Sequence, residues 1–197
     1  MTNVFDVILP ASGIPLAGWV VHATALHRAL GTWRRDPLTG LYGRRAWETK
    51  AQRVVRRNAR STVLLVDLND FKTTNDTEGH AAGDSVLVAA AHRLARVHGV
   101  LGRLGGDEFV AALAEPMDAE QLDDLRKALA EPVEHEGRML RTSAAIGVCQ
   151  LDSLDQPSLS AALKAADHAM YADKGSAGRR GGTPAPLRQL ELVGGTR

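Results

Sequence analysis

Arg103-Leu104-Gly105-Gly106-Asp107-Glu108-Phe109-Val110 decides how this chain is read. Two glycines stand between apolar runs, Val100-Leu101 before them and Phe109-Val110-Ala111-Ala112-Leu113 after, and two carboxylates follow the glycines at once. The apolar runs read as short strands. A Gly-Gly pair between them predicts a tight hairpin, because a two-residue type I′ turn needs positive φ at both central positions. Asp107 and Glu108 then stand at the tip, beside backbone that carries no side chains, where a phosphate or nucleotide can approach. The same residues taken alone also read as a surface turn with solvated acids, so the neighbouring segments have to separate the two.

Upstream, Ser61-Thr62-Val63-Leu64-Leu65-Val66 is a continuous apolar, β-branched run that ends in Asp67. Such a run predicts a buried central strand with a carboxylate at its end. Asp67 through Asp76 follows as a short polar segment with one anchoring aromatic, Phe71, and Gly79 to Asp84 leads into a helix predicted from Ser85 to Val97. Arg44 to Arg60 reads as a basic helix, entered through the turn Asp36-Pro37-Leu38-Thr39-Gly40-Leu41, where Pro37 holds Asp36 out of helical geometry. Downstream, Ala119 to Ala130 is predicted as a helix, Arg138 to Leu151 as one long strand, and Ser158 to Lys174 as the last helix. A short edge strand is expected around Leu187 to Val193. Strands and helices mix without regular βαβ alternation, which predicts an α/β sandwich with a largely antiparallel sheet.

Composition narrows the function. At 197 residues, 44% hydrophobic and 24% charged, the chain is that of a globular domain with extensions. A net charge of +1 gives no argument for a nucleic-acid partner, and the basic helix has no interleaved aromatics. The single cysteine, Cys149, excludes an intramolecular disulfide and a cysteine-rich metal site, and its apolar surroundings read as core.

Residues 1–35 are expected to be a helical segment of their own. Val7 to Leu26 carries no formal charge and is long enough to cross a bilayer, and Arg28, Arg34 and Arg35 after it would keep the following domain in the cytoplasm, tethered to the inner face of the membrane. Leu16, Trp19, Ala23, Leu26, Leu30 and Trp33 also form a short a/d seam, so dimerisation through a coiled coil competes with a span, and a helix docked on its own domain competes with both. Residues 36–185 are expected to be the catalytic domain and 186–197 a tail.

Placing Asp67 beside the hairpin brings carboxylates from adjacent strand ends together. Hard oxygen ligands of this kind suit Mg²⁺ or Mn²⁺ held partly by substrate phosphates, an arrangement that supports phosphoryl or nucleotidyl transfer. Lys72 and Lys174 can meet phosphate oxygens as point charges. Asn75 and Asp84 can read the donor edge of a base, since a carboxylate pairs with guanine N1–H and N2–H₂. Each has a plainer reading: solvated lysines, a turn asparagine, and a helix N-cap at Asp84.

Four separated motifs, in order, resemble those of the GGDEF-domain family, the diguanylate cyclases. They are Asp36-Pro37-Leu38-Thr39-Gly40-Leu41; Asp67 to Asp84, with Phe71-Lys72, Asn75-Asp76, Gly79-His80 and Gly83-Asp84; Arg103 to Phe109; and Ala166-Asp167-His168-Ala169-Met170-Tyr171-Ala172-Asp173-Lys174. The resemblance implies a fold like class III nucleotide cyclases and polymerase palms. It implies a reaction in which two GTP condense to cyclic di-GMP and two pyrophosphates, across a homodimer. It assigns metal binding to Asp67, Asp107 and the Leu68 carbonyl, a part in catalysis to Asp67, Asp107 and Glu108, guanine recognition to Asn75 and Asp84, room for the nucleotide to Gly105 and Gly106, and phosphate binding to Lys72, Lys174 and Arg179. A GTP-binding regulatory module without turnover is the alternative.

Three departures from the family pattern stand out. The product-inhibition motif Arg-x-x-Asp reads Arg96-Val97-His98-Gly99, so only Arg96 remains of that site and weak or absent feedback is expected. The tail after Lys174 is one residue longer than the usual Lys-x-x-Gly-Arg, which puts Arg179 in question as a phosphate ligand. Gly43 stands where Asn is common.

Overall fold

The computed structural model describes residues 35–177. The N-terminal helix, the uncharged run from Val7 to Leu26, Arg179 and the expected strand near Leu187 lie outside the described residues. Among those described, the order is β1 (Tyr42–Gly43), α1 (Arg44–Arg57), β2 (Thr62–Leu68), α2 (Phe71–Glu78), α3 (His80–Leu94), β3 (Val100–Gly105), β4 (Glu108–Leu113), α4 (Ala119–Ala130), β5 (Val133–His135), β6 (Arg138–Leu140), β7 (Ala144–Gln150), a 3₁₀ turn (Leu151–Ser153) and α5 (Leu159–Ala177).

Five strands form one sheet in the order β1-β3-β4-β2-β7, and β5 pairs with β6 apart from it. Only β1 and β3 run parallel; the other pairs in the sheet are antiparallel. The buried run of β2 accordingly lies between β4 and β7. Alternation splits its side chains between two cores, because successive Cβ atoms in a strand point to opposite faces. Leu64, Val66 and Leu68 join Phe109, Ala111 and Ile146 under α3 and α4. Val63 and Leu65 join Val110, Ala112 and Cys149 under α1 and α5. A fully buried leucine or valine contributes about 1.5–3 kcal/mol relative to exposure, so a sheet covered on both faces needs no aromatic-rich core. Trp47 anchors α1: it is fully buried and donates Nε1–H to the Val100 carbonyl at 2.8 Å.

The helices follow their caps and faces. Asp118 and Gln121 form a reciprocal capping box that starts α4 where the sequence predicts it. The Ser158 hydroxyl accepts from the Ala161 amide at 3.1 Å and starts α5. Helix α5 lies so close to β7 that a Cβ on Gly147 would stand 1.8 Å from the Ala166 carbonyl oxygen. Cys149 is buried as expected, and burial pushes its thiol pKa up, away from nucleophilic use.

Four expectations need correction. The polar segment after Asp67 contains a helix, α2, whose residues are nowhere fully buried; without an apolar stripe it leaves no periodic signal. Helix α3 begins at His80 instead of Ser85, so Asp84 lies inside it and is not its N-cap. The long strand expected from Arg138 to Leu151 is two strands in different sheets, β6 and β7. The turn at Gly105-Gly106 is not type I′. Gly105 (φ 143°) is the last residue of β3, beside an irregularity in register with β4, and the two turn residues are Gly106 (φ 52°) and Asp107, the latter without positive φ. Positive φ at both residues of a two-residue turn occurs instead at Glu136 (φ 50°) and Gly137 (φ 78°), between β5 and β6.

Candidate active site

Strand register builds the site. Asp67 pairs across β2 and β4 with Glu108, and across β2 and β7 with Ala145. One residue further, the Leu68 amide donates to the Asp107 carbonyl at 3.3 Å, which fastens the end of β2 to the glycine turn. Asp67, Leu68, Asp107 and Glu108 therefore occupy neighbouring positions on adjacent strand ends. Asp67 lies inside β2, one residue before its end.

The charges around these positions differ. Lys174, on α5, reaches Asp67 at 2.8 Å, and the Asp67 side chain is only 15% exposed. Arg44, at the start of α1, lies 3.8 Å from Glu108, with both side chains well exposed. Asp107 is half-buried and has no ion-pair or hydrogen-bond partner for its carboxylate among the described residues. Asp173, next to Lys174, accepts from Arg126 on α4 and from the Ile146 amide of β7, each at 3.1 Å. That double contact fixes the stretch of α5 from which Lys174 extends.

Arg103 fastens the turn from the other side. Its Nη1 donates to both Asp36 oxygens at 3.1 and 3.2 Å, while Nε and Nη2 donate to the Gly106 carbonyl at 2.9 and 2.7 Å. Asp36 also accepts from the amide and hydroxyl of Thr39. Burial alone would raise the Asp36 pKa, but the hydrogen bonds from Thr39 and Arg103 outweigh it and hold the carboxyl below its ordinary value. Sequence reasoning quoted both residues within motifs but gave neither a task; the signal available was an arginine two residues before the glycines and an acid beside Pro37.

A second group lies in the corner between α2 and α3. Asn75, from α2, rests against Gly83 of α3, with Asp84 the next residue along. The side chains of Asn75 and Asp84 make no hydrogen bond or ion pair among the described residues, and neither does that of Lys72, which is exposed on α2. The structure thus gathers Asp67, Leu68, Gly105, Gly106, Asp107, Glu108 and Lys174 at the sheet end and Asn75 with Asp84 in the helical corner. Arg96 stands apart, just beyond the C-terminal end of α3, 3.6 Å from Glu131.

No group of three or more His, Cys, Asp or Glu side chains among the described residues is close enough to hold a metal on its own. The donor set still fits a hard divalent cation of the Mg²⁺ kind, because such ions in nucleotide sites take one or two carboxylates and draw the remaining oxygens from substrate phosphates and water. Carboxylates of Asp67 and Asp107, beside the Leu68 carbonyl and Lys174, would supply that protein share.

Comparison with known proteins agrees with this geometry. Residues 34–180 match the family described as diguanylate cyclase, GGDEF domain. The chain is 51% identical over 178 residues to the 19.3 kDa protein of the repSA 5′ region of Streptomyces ambofaciens, covering 89% of this chain and 96% of that one. It is 35% identical over 162 residues to the diguanylate cyclase DgcN of Escherichia coli, covering 77% of this chain and 37% of the relative. It therefore spans little more than a third of that enzyme. A crystal structure of a sensory box/GGDEF family protein from Caulobacter crescentus superposes with a TM-score of 0.67 at 33% identity, covering 73% of this chain and 99% of the other. With a family match over residues 34–180 and a superposing GGDEF-domain structure, the chain belongs to the GGDEF-domain family of diguanylate cyclases.

Proposed function

We propose that this protein is a diguanylate cyclase that condenses two GTP into cyclic di-GMP and two pyrophosphates. In each half-reaction the 3′-hydroxyl oxygen of one GTP attacks the α-phosphorus of the other. The new P–O bond forms as the bond to the β-phosphate oxygen breaks, pyrophosphate leaves, and the hydroxyl proton passes to a base. Asp107, half-buried and unpaired, is the candidate base and a cation ligand together with Asp67 and the Leu68 carbonyl. Mg²⁺ or Mn²⁺, when bound there, would neutralise phosphate charge and acidify the attacking hydroxyl.

The chain's own residues do the rest. Glu108, at the start of β4 and within reach of Arg44, supplies the second acid of the signature. Lys72 and Lys174 meet phosphate oxygens; for Lys174 this means exchanging the Asp67 carboxylate for phosphate as the nucleotide enters. Asn75 and Asp84 read guanine. Arg179 is a further candidate phosphate ligand outside the described residues.

The observation that supports this reading most is the Leu68–Asp107 backbone hydrogen bond, which ties the end of β2, one residue past Asp67, to the turn that carries Asp107. One domain offers one such site, so two domains must face each other to join two GTP. Residues 1–35, before the domain at 36–185, are proposed to bring two copies together, by a coiled coil or by confinement to the inner face of a membrane. Among the described residues no helix is long and apolar enough to cross a membrane. The deciding experiment incubates purified full-length protein with GTP and Mg²⁺ and resolves the products by chromatography. Cyclic di-GMP together with pyrophosphate is expected, whereas bound GTP without turnover would sink the reading.

A further inference from the structure

Gly83 lies inside α3, where glycine is a poor helix former. It is buried, while Asp84 beside it is exposed. Its φ is not left-handed, so backbone conformation does not require glycine there. What requires it is space. A Cβ on Gly83 would stand 2.0 Å from Asn75 Oδ1, 3.0 Å from Asn75 Cγ and 3.3 Å from Phe71 Cζ. The Asn75 amide therefore rests on the bare backbone of α3, one residue from Asp84. Neither α2 nor its Asn75 is deeply buried, whereas Ala82, Val86 and Leu87 root α3 in the core. A side chain added at Gly83 must displace Asn75 and not the α3 backbone.

From this contact we infer that Gly83 is a specificity-determining position, the empty place on α3 that seats Asn75 beside Asp84 so that the two side chains read one base together. The inference rests on the proposed use of GTP and adds a residue that touches no nucleotide itself. An unpaired amide and an unpaired carboxylate at this spacing offer one donor–acceptor group and one pure acceptor. That pattern suits a purine bearing N–H donors next to a carbonyl. Held apart, each would bind as a single weak contact.

The test uses full-length protein with three changes: Gly83→Ala, Asn75→Ala and the double variant. Binding of GTP and of inosine triphosphate, which lacks the 2-amino group, is measured by calorimetry in the presence of Mg²⁺. Gly83→Ala is expected to weaken GTP binding about tenfold and to shrink the preference for GTP over inosine triphosphate, as Asn75→Ala does. In the Asn75→Ala background the added methyl meets no amide, so Gly83→Ala is expected to cost nothing further. Thermal stability is expected to hold or rise, since alanine is the better helix former.

Wild-type GTP affinity and preference in the Gly83→Ala protein would overturn the inference while leaving the proposed function standing. So would a Gly83→Ala loss of the same size in both backgrounds, which points to displaced helices in place of a displaced amide. A wild-type protein that binds no guanine nucleotide would overturn the proposed function. The seating of Asn75 is then judged separately by the crystal structure of the Gly83→Ala protein: an undisturbed Asn75 overturns it and a displaced one supports it.

Discussion

Arg103 joins Asp36 to Gly106, holding the acid of the first turn with Nη1 and the carbonyl of the signature turn with Nε and Nη2. The pair is mostly buried, with side-chain exposures of 13% and 19%. A glycine turn is soft, and this clamp gives it one position relative to the sheet. Arg103→Ala is expected to lower stability by about 1–3 kcal/mol by leaving Asp36 partly unsatisfied. Activity is expected to fall at least tenfold because Asp107 loses its fixed place. Urea denaturation and initial rates measure the two effects; full activity with reduced stability would confine the clamp to folding.

The same pair has a pH signature. The Asp36 carboxyl is held below its unfolded value of 3.8. A depressed carboxyl stabilises the fold above its unfolded pKa, and that contribution is lost as pH falls through the folded pKa. Wild-type protein is therefore expected to lose stability between about pH 5 and pH 2 more steeply than Asp36→Asn, which starts lower and changes less. Unfolding free energies across that range give the comparison, and parallel curves would contradict it.

Lys174 and Asp67 lie 2.8 Å apart, so removing either changes the site in a different way. On the proposed reading Asp67→Asn takes away a cation ligand, and kcat is expected to fall about 10³-fold, equivalent to about 4 kcal/mol of barrier. On the same proposed reading Lys174→Met leaves that ligand and removes a phosphate contact. Its main effect is expected in KM for GTP, about tenfold, with a smaller one in kcat. Steady-state kinetics at saturating Mg²⁺ separate the two patterns; equal effects on KM and kcat from both variants would contradict the division of labour.

Feedback by product is expected to be weak. A Cβ on Gly99 would meet Leu113 Cδ2 at 2.5 Å and the Ala112 carbonyl oxygen at 2.7 Å, so the place of the missing acid has no room for a side chain. Arg96 faces Glu131. Initial rates are expected to stay unchanged when low micromolar cyclic di-GMP is added. Gly99→Asp is expected to destabilise by about 1–3 kcal/mol without creating inhibition. Strong inhibition of the wild-type protein at such levels would refute the expectation.

If residues 1–34 bring two domains together, deleting them lowers specific activity in dilute enzyme and not at high concentration. Rates measured over a wide range of protein concentration decide this, and equal specific activity throughout would remove that role.

The antiparallel core, the carboxylates Asp67, Asp107 and Glu108, and the helices carrying Lys174 and the capping box were legible in the sequence. Each is written in a local period or in adjacent residues: apolar runs for β2 and β4 and 3.6-residue stripes for α4 and α5. Helix α2 was not legible, because a helix with no fully buried residue has no stripe to read. Nor was the start of α3, where Gly83 looks like a break until Asn75 is seen against it.

The chain by itself determined the family motifs and that a glycine turn stands beside two acids, because residue type and spacing are one-dimensional. Only the tertiary structure decided that the left-handed turn residue is Gly106 with Asp107 following it, that Arg103 clamps that turn to Asp36, and that Lys174 meets Asp67. These relationships depend on strand register and helix contact across long sequence separations. Both are set by how two buried faces pack, and no local pattern encodes that.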